Sequence, residues 1–189
     1  MNLNRDLYQL FHEDISLEYT AHFHYLQCRI ALEHQSVGLP GLAKFFAGEA
    51  SEEWDHAKAF IDKLQQRGGQ FSFSNLDKTG ILEASFNLGD PTKIGASICD
   101  MIAKSLYLEK EVAKKVLEIK NVADKYEDAD VLYIALRIYQ ILTLVSKNSL
   151  KNIFHTDSYK IFDLLVKIWN KQLTLKKILK DFSMDRPLD

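Results

Sequence analysis

The sequence predicts an all-α fold, a single bundle of long helices. Three observations carry that prediction. Apolar residues recur at spacings of three and four over long stretches, the period of a helix with one buried side. Only 3 Pro and 8 Gly occur in 189 residues, and they cluster between those stretches. A chain of this length with 47% hydrophobic residues can bury a proper core, which favours one compact domain over residues 1–189.

Residues 3–34 form the first predicted helix. One apolar row runs through Leu3, Leu7, Leu10, Leu17, Ala21, His24, Cys28 and Ala31, and a neighbouring row through Phe11, Ile15, Glu18, His22 and Tyr25. A carboxylate inside such a row is costly to bury alone, so Glu18 requires a cation, a metal or hydrogen-bond donors. Gln35 to Leu39 break the pattern, and Pro40 suits the first turn of a second helix that runs to about Gln66. Its inward side carries Leu42, Phe45, Phe46, Glu49, Glu53, His56, Phe60 and Leu64, and Arg67-Gly68-Gly69 closes it with a residue suited to a left-handed cap.

The long connection from Gln70 to Asp90 can travel back along the bundle, so the helices it joins can run parallel. Asp90 and Pro91 are suited to start a third helix ending near Asp124, with Ile98, Ile102, Ser105, Glu109, Val112, Val116 and Ile119 in one row. After a short turn at Glu127 to Asp130, a fourth helix over about 131–153 is apolar nearly all round and must be covered on more than one side. A further helix over about 157–183, apolar on one side and lysine-rich on the other, either packs on the bundle or forms a subunit contact.

Bulk properties exclude several function classes. With Lys+Arg 24 against Asp+Glu 26, the net charge of -2 gives no footprint for nucleic acid and no polybasic membrane anchor. Two cysteines, Cys28 and Cys99, are too few for a disulfide framework and read as thiols in a reducing compartment. No apolar run is long enough for a signal peptide or a membrane span, and a cytoplasmic location is expected.

The chemistry concentrates at Glu53 and His56. Three residues apart on a helix, they offer a carboxylate and an imidazole to one point, the Glu-x-x-His element of paired-metal sites in bundles. Such a site needs a further Glu from other helices. Glu18 and Glu109, each in an otherwise apolar row, answer from the first and third.

These residues resemble a ferritin. The resemblance rests on Ile15-Ser16-Leu17-Glu18 through Tyr25-Leu26, on Gly38-Leu39-Pro40-Gly41-Leu42-Ala43-Lys44-Phe45-Phe46, on Ser51-Glu52-Glu53-Trp54-Asp55-His56-Ala57 with Arg67-Gly68-Gly69, and on Leu108-Glu109-Lys110 in the third helix. The non-haem, bacterial-type ferritins are the nearest fit. What the resemblance implies is a four-helix bundle with a long crossover between its second and third helices. It also implies a homo-oligomeric cage, usually of 24 copies, that oxidises Fe(II) and stores ferric mineral. Glu18, Glu53 and His56 would hold the first iron, Glu53 would bridge, Glu109 would hold the second, and Tyr25 would stand beside the centre. Glu52 and Asp55 match the acidic positions of the inner surface, while Lys58 takes a third. Iron, with O2 as oxidant, is the implied metal, and no haem is expected, because Trp54 occupies the neighbourhood where a haem-binding methionine would be needed.

The chain also departs from the family. From Val131 to Phe154 there is no Asp, Glu or His, so the fourth helix supplies no iron ligand and Thr143 and Ser146 are poor substitutes. The second iron position is expected to be weak and any ferroxidase activity slow. Leu132, Tyr133 and Leu136 fall where ferritins line their three-fold channels with acids. His22, four residues after Glu18 and about 40° round the same face, either approaches the metal from the first helix or is a core histidine bonded to a backbone or carboxylate group. Two readings follow: an iron-storage cage subunit with impaired oxidation, or a non-catalytic shell subunit in which the same residues form a buried polar network.

Overall fold

The structure, a computed structural model, describes residues 3–73, 76, 79–83, 86, 90 and 92–139. Four α-helices, a short 3-10 helix at Ile81–Glu83 and no strand occur among them: α1 (Arg5–Glu33), α2 (Pro40–Gln66), α3 (Ile94–Lys125) and α4, helical from 129 and described to 139. The all-α prediction holds, and the arrangement is that of a four-helix bundle. All described residues belong to one compact unit, Met1–Ser149. The later part of the fourth helix, Thr143, Ser146 and the expected helix over 157–183 lie outside the described residues.

Local chemistry sets the helix ends. Asn4 Oδ1 accepts from the Asp6 amide at 2.8 Å and starts α1. Pro40 opens α2, where a missing amide costs nothing because the first-turn N–H groups have no intrahelical acceptor. Gly68 ends that helix at φ 77°, and the Gly69 amide returns to the Leu64 carbonyl at 2.9 Å. A Cβ on Gly69 would collide with the Leu64 side chain and crowd the Tyr8 ring. Asp90 does not cap α3 directly. Its carboxylate bonds the Thr92 amide at 3.0 Å and hydroxyl at 2.6 Å, which closes a turn before the helix begins at Ile94.

The described parts of the connection between α2 and α3 climb along α1. Tyr8 donates to the Gln70 carbonyl at 3.2 Å, Thr20 to that of Leu76 at 3.1 Å, and Gln27 to that of Leu82 at 3.1 Å. The chain therefore returns to the C-terminal end of α1 before α3 starts, and α3 runs antiparallel to α1 and parallel to α2. A ladder of contacts fixes this register: His24 on Ser105, Tyr25 on Glu109, Glu13 on Lys115 and Asp6 on Tyr126. Aromatic contacts pin the start of the connection, with Phe71 against His12 and Tyr19, and Phe73 against Tyr19.

The core is built around Leu7, Phe11, Ile15, Phe60, Leu64, Val112, Val116 and Ile119, with Val131, Ala135 and Ile138 of α4 closing it. Phe11 and Phe60 meet edge to face at 5.1 Å. On α1 the buried seam runs through Leu7, Phe11, Asp14, Glu18, Ala21, Tyr25 and Cys28, whereas Leu10 and Leu17 are only partly covered. The seam therefore follows the three-four spacing one position away from the row predicted through Leu17, and it takes in an acid, Asp14. At the other end, Arg67 grips Asp128 with two bonds of 3.0 and 2.6 Å, tying the close of α2 to the start of α4.

Candidate metal centre

Glu18 of α1 and Glu53 and His56 of α2 converge in the bundle interior. All three are buried, and one ligand atom from each can be chosen so that all lie within 4.8 Å of one another. His56 Nδ1 is 3.3 Å from Glu53 Oε2 and 3.7 Å from Glu18 Oε2. Two oxygen or nitrogen ligands each about 2.1 Å from one cation, at angles from a right angle to a straight line, lie about 3.0 to 4.2 Å apart. Both distances fall inside that range. The donor set fits a hard or borderline divalent cation: two carboxylates neutralise it and one imidazole limits the negative charge.

Without a cation the same atoms are poorly satisfied. Neither oxygen of Glu18 has a hydrogen-bond partner, because Glu53 beside it is also an acceptor when ionised. The two carboxyls can bond only by sharing a proton. Burial, chiefly, pushes Glu18 well above the ordinary carboxylate range, and the charges of Asp14 and Glu109 add to this, against the contact with Glu53. Glu53 is raised by burial first and by the charges of Glu18 and Glu109 next. Burial alone would lower the His56 imidazole, but its hydrogen bond to Glu53 and the charges of Glu53, Glu109 and Glu52 lift it above the usual histidine value. A divalent cation bound by these three groups would displace protons from them.

Glu109 of α3 lies beside this group without joining its closest cluster. It is half-buried, and its carboxyl lies within hydrogen-bonding reach of Glu53. Tyr25 of α1, fully buried, donates its hydroxyl to Glu109 Oε1. Burial and then the neighbouring carboxylates raise the Tyr25 phenol, so it remains a proton donor.

The other predicted residues are placed elsewhere. His22 turns its Nδ1 to the Ala50 carbonyl at 2.6 Å and packs against Trp54, so it is bonded to backbone and stands outside the cluster. The reason is local. Its face of α1 meets the small Ala50 of α2, whose side chain leaves the helix carbonyl within reach. Glu52 and Asp55 point outward into an open groove of about 660 Å³ between α2 and α4, lined also by Asp62, Lys63, Asp130, Tyr133 and Arg137. His56 forms part of its wall, so the groove reaches the centre from solvent. Asp14, which was not among the predicted site residues, is fully buried one helical turn before Glu18. Its position in the sequence signalled it: Leu7, Phe11, Asp14 and Glu18 are spaced four, three and four.

Among the described residues no helix is long and apolar enough to cross a membrane. The family model for the ferritin-like domain matches residues 8–137. Similar curated proteins include a yolk ferritin of Lymnaea stagnalis, 34% identical over 76 residues (40% of this chain and 32% of that protein). A chloroplastic ferritin-3 of Arabidopsis thaliana is 30% identical over 136 residues (69% and 50%), and a ferritin heavy chain of Echinococcus granulosus is 28% identical over 129 residues (64% and 68%). The chain thus spans half or less of the first two relatives.

Proposed function

Because this chain belongs to the ferritin family, we propose that it is an iron-storing subunit that binds Fe(II) at Glu18, Glu53 and His56. The convergence of those three ligand atoms in a buried, donor-poor position carries the proposal. Iron is here the cargo. Glu53, placed between Glu18 and Glu109, is the residue suited to bridge to a second iron, and Glu109, oriented by Tyr25, is its only other protein ligand from the described helices. The groove between α2 and α4, with Glu52 and Asp55 at its rim, supplies a polar path for the ion to His56. Assembly into a closed homo-oligomeric cage of 24 copies, a cytoplasmic location and the absence of haem belong to the same reading. The three relatives are eukaryotic proteins, and they support a ferritin without favouring the bacterial type.

Oxidation of Fe(II) to a ferric mineral is proposed to be slow. Two-electron transfer to O2 uses a close pair of irons, and between Val131 and Phe154 the sequence has no acid or histidine to complete the second position. Stopped-flow absorbance after mixing the anaerobic Fe(II)-loaded protein with O2 tests this. A slow rise without a burst is expected, whereas a rapid burst at two irons per chain would contradict it.

A second reading, a shell subunit that does not oxidise iron, is favoured by one observation. Tyr133 and Leu136 of α4 are 66% and 41% exposed, so the face expected to border a cation channel is apolar. Under that reading the chain binds no Fe(II) at the triad, and equilibrium dialysis under argon separates the two.

A further inference from the structure

The only described acid on the seam of α1 besides Glu18 is Asp14, and among the described residues these two are the buried carboxylates with no hydrogen-bond partner on either oxygen. Asp14 is 0% exposed. The cation nearest in effect, Lys115 of α3, is committed to Glu13 at 2.9 Å and Glu118 at 2.7 Å. Asp14 and Glu18 stand one turn apart on the same face, where side chains four residues apart meet. The charge of Asp14 acts on Glu18 and that of Glu53 on Asp14, so the acid lies within electrostatic reach of the triad.

Buried carboxylates are paired with a charge, supplied with donors, or bound to metal. Asp14 has no donor and no free ammonium group. We infer that Asp14 and Glu18 together hold a further divalent cation, on the α1 side of the centre and distinct from any held by Glu109. The inference rests on the reading of Glu18, Glu53 and His56 as an iron site.

The chemistry identifies the class of ligand. Carboxylate oxygens from two acids, with no thiolate or imidazole beside Asp14, suit a hard oxygen-seeking dication such as Mn(II), Fe(II) or Mg(II). The position differs in kind from the triad. Asp14 does not line the groove that reaches His56, and its neighbours on the seam are Phe11 and Ile15. A cation there is enclosed, without an open side for O2, so it is retained and neutralises the acids of α1. It adds no oxidation step, and the slow oxidation proposed above is unaffected.

The experiment is anaerobic equilibrium dialysis of the assembled full chain against Mn(II), with cations counted per chain for the parent, D14N and D100N. Diffraction from Mn(II)-soaked parent crystals near the manganese edge accompanies it and requires no variant. The expected result is that D14N retains one cation fewer than the parent, D100N, which alters a surface acid paired with Lys104, retains as many, and the parent shows an anomalous peak at the Asp14 carboxylate. Equal, non-zero counts for D14N and the parent, or a parent map with a peak only at the triad, overturn this inference alone and mean that Asp14 is neutralised by a proton. A parent that retains no cation overturns the iron-site reading with it.

Discussion

Replacing Glu18 by glutamine should stabilise the metal-free protein at neutral pH and weaken it once metal is present. Glu18 is fully buried and has no donor, and burial raises its carboxyl well above the ordinary value of 4.5. An acid raised in the folded state binds its proton more tightly there than in the unfolded chain. Its contribution to stability therefore falls as pH rises above 4.5 toward the folded value. Keeping such a carboxyl neutral at pH 7 costs at most about 3.4 kcal/mol, at about 1.36 kcal/mol per pH unit. Glutamine is neutral at every pH and its amide can donate to Glu53, although the amide needs partners of its own, so a net gain of about 2 kcal/mol is expected. For a chain of this size that is a rise in Tm of about 4 to 8 °C. Thermal melts in chelator at pH 7 should show it, and melts near pH 4.5 should not. With a saturating divalent cation the order should reverse, because the parent gains about 2.7 kcal/mol at a hundred times Kd. The reasoning fails if metal-free E18Q melts no higher than the parent at pH 7, or if its gain is the same at both pH values.

Two further perturbations test the frame that holds the centre. Phe60→Ala removes a fully buried ring that meets Phe11 at 5.1 Å and should lower stability by about 3 to 5 kcal/mol in urea titrations; a loss below about 1 kcal/mol would mean that the α1–α2 contact is looser than described. Asp128→Ala removes both the fork to Arg67 and the acceptor for the Val131 amide at 3.3 Å, and should cost about 2 kcal/mol. Because the Arg67 contact holds the Asp128 carboxyl below its ordinary value of 3.8, that stability is present above 3.8 and lost as pH falls through the folded value. The parent and variant should thus converge in acid, and a gap that persists there would assign the loss to the cap alone.

Much of the architecture was legible in the chain because helices announce themselves by spacing and by their breakers. Pro40, Gly68 and Gly69 placed both ends of α2, and the length of the Gln70 to Asp90 connection allowed the parallel arrangement of α2 and α3. Glu18, Glu53 and His56 were legible for a related reason: polar groups in apolar rows must be satisfied by something. Asp14 was missed because two adjacent rows of α1 share apolar residues, and a period of 3.6 does not say which row is innermost. The packing of α2 and α3 decided it, covering Phe11 and Asp14 and leaving Leu17 half exposed. His22 was ambiguous for a different reason. An angular offset of about 40° allows both the metal and the next helix, and the approach of the Ala50 carbonyl to His22 was not visible in the sequence. The start of α3 was displaced because Asp90 spent its carboxylate on Thr92, a choice between cap and turn that spacing does not resolve.

All three residues of the triad lie on the hairpin of α1 and α2, whose connecting segment is 34–39. Contacts made across so short a closure lose little chain entropy and form early relative to those that wait for a long crossover. The centre is thus a local product of the first third of the chain, while α3 contributes Glu109, and α3 and α4 contribute cover. Under the function proposed above, substitutions in the later helices would alter oxidation while the capacity to hold a metal ion persisted in the hairpin, so holding and oxidising would be lost independently.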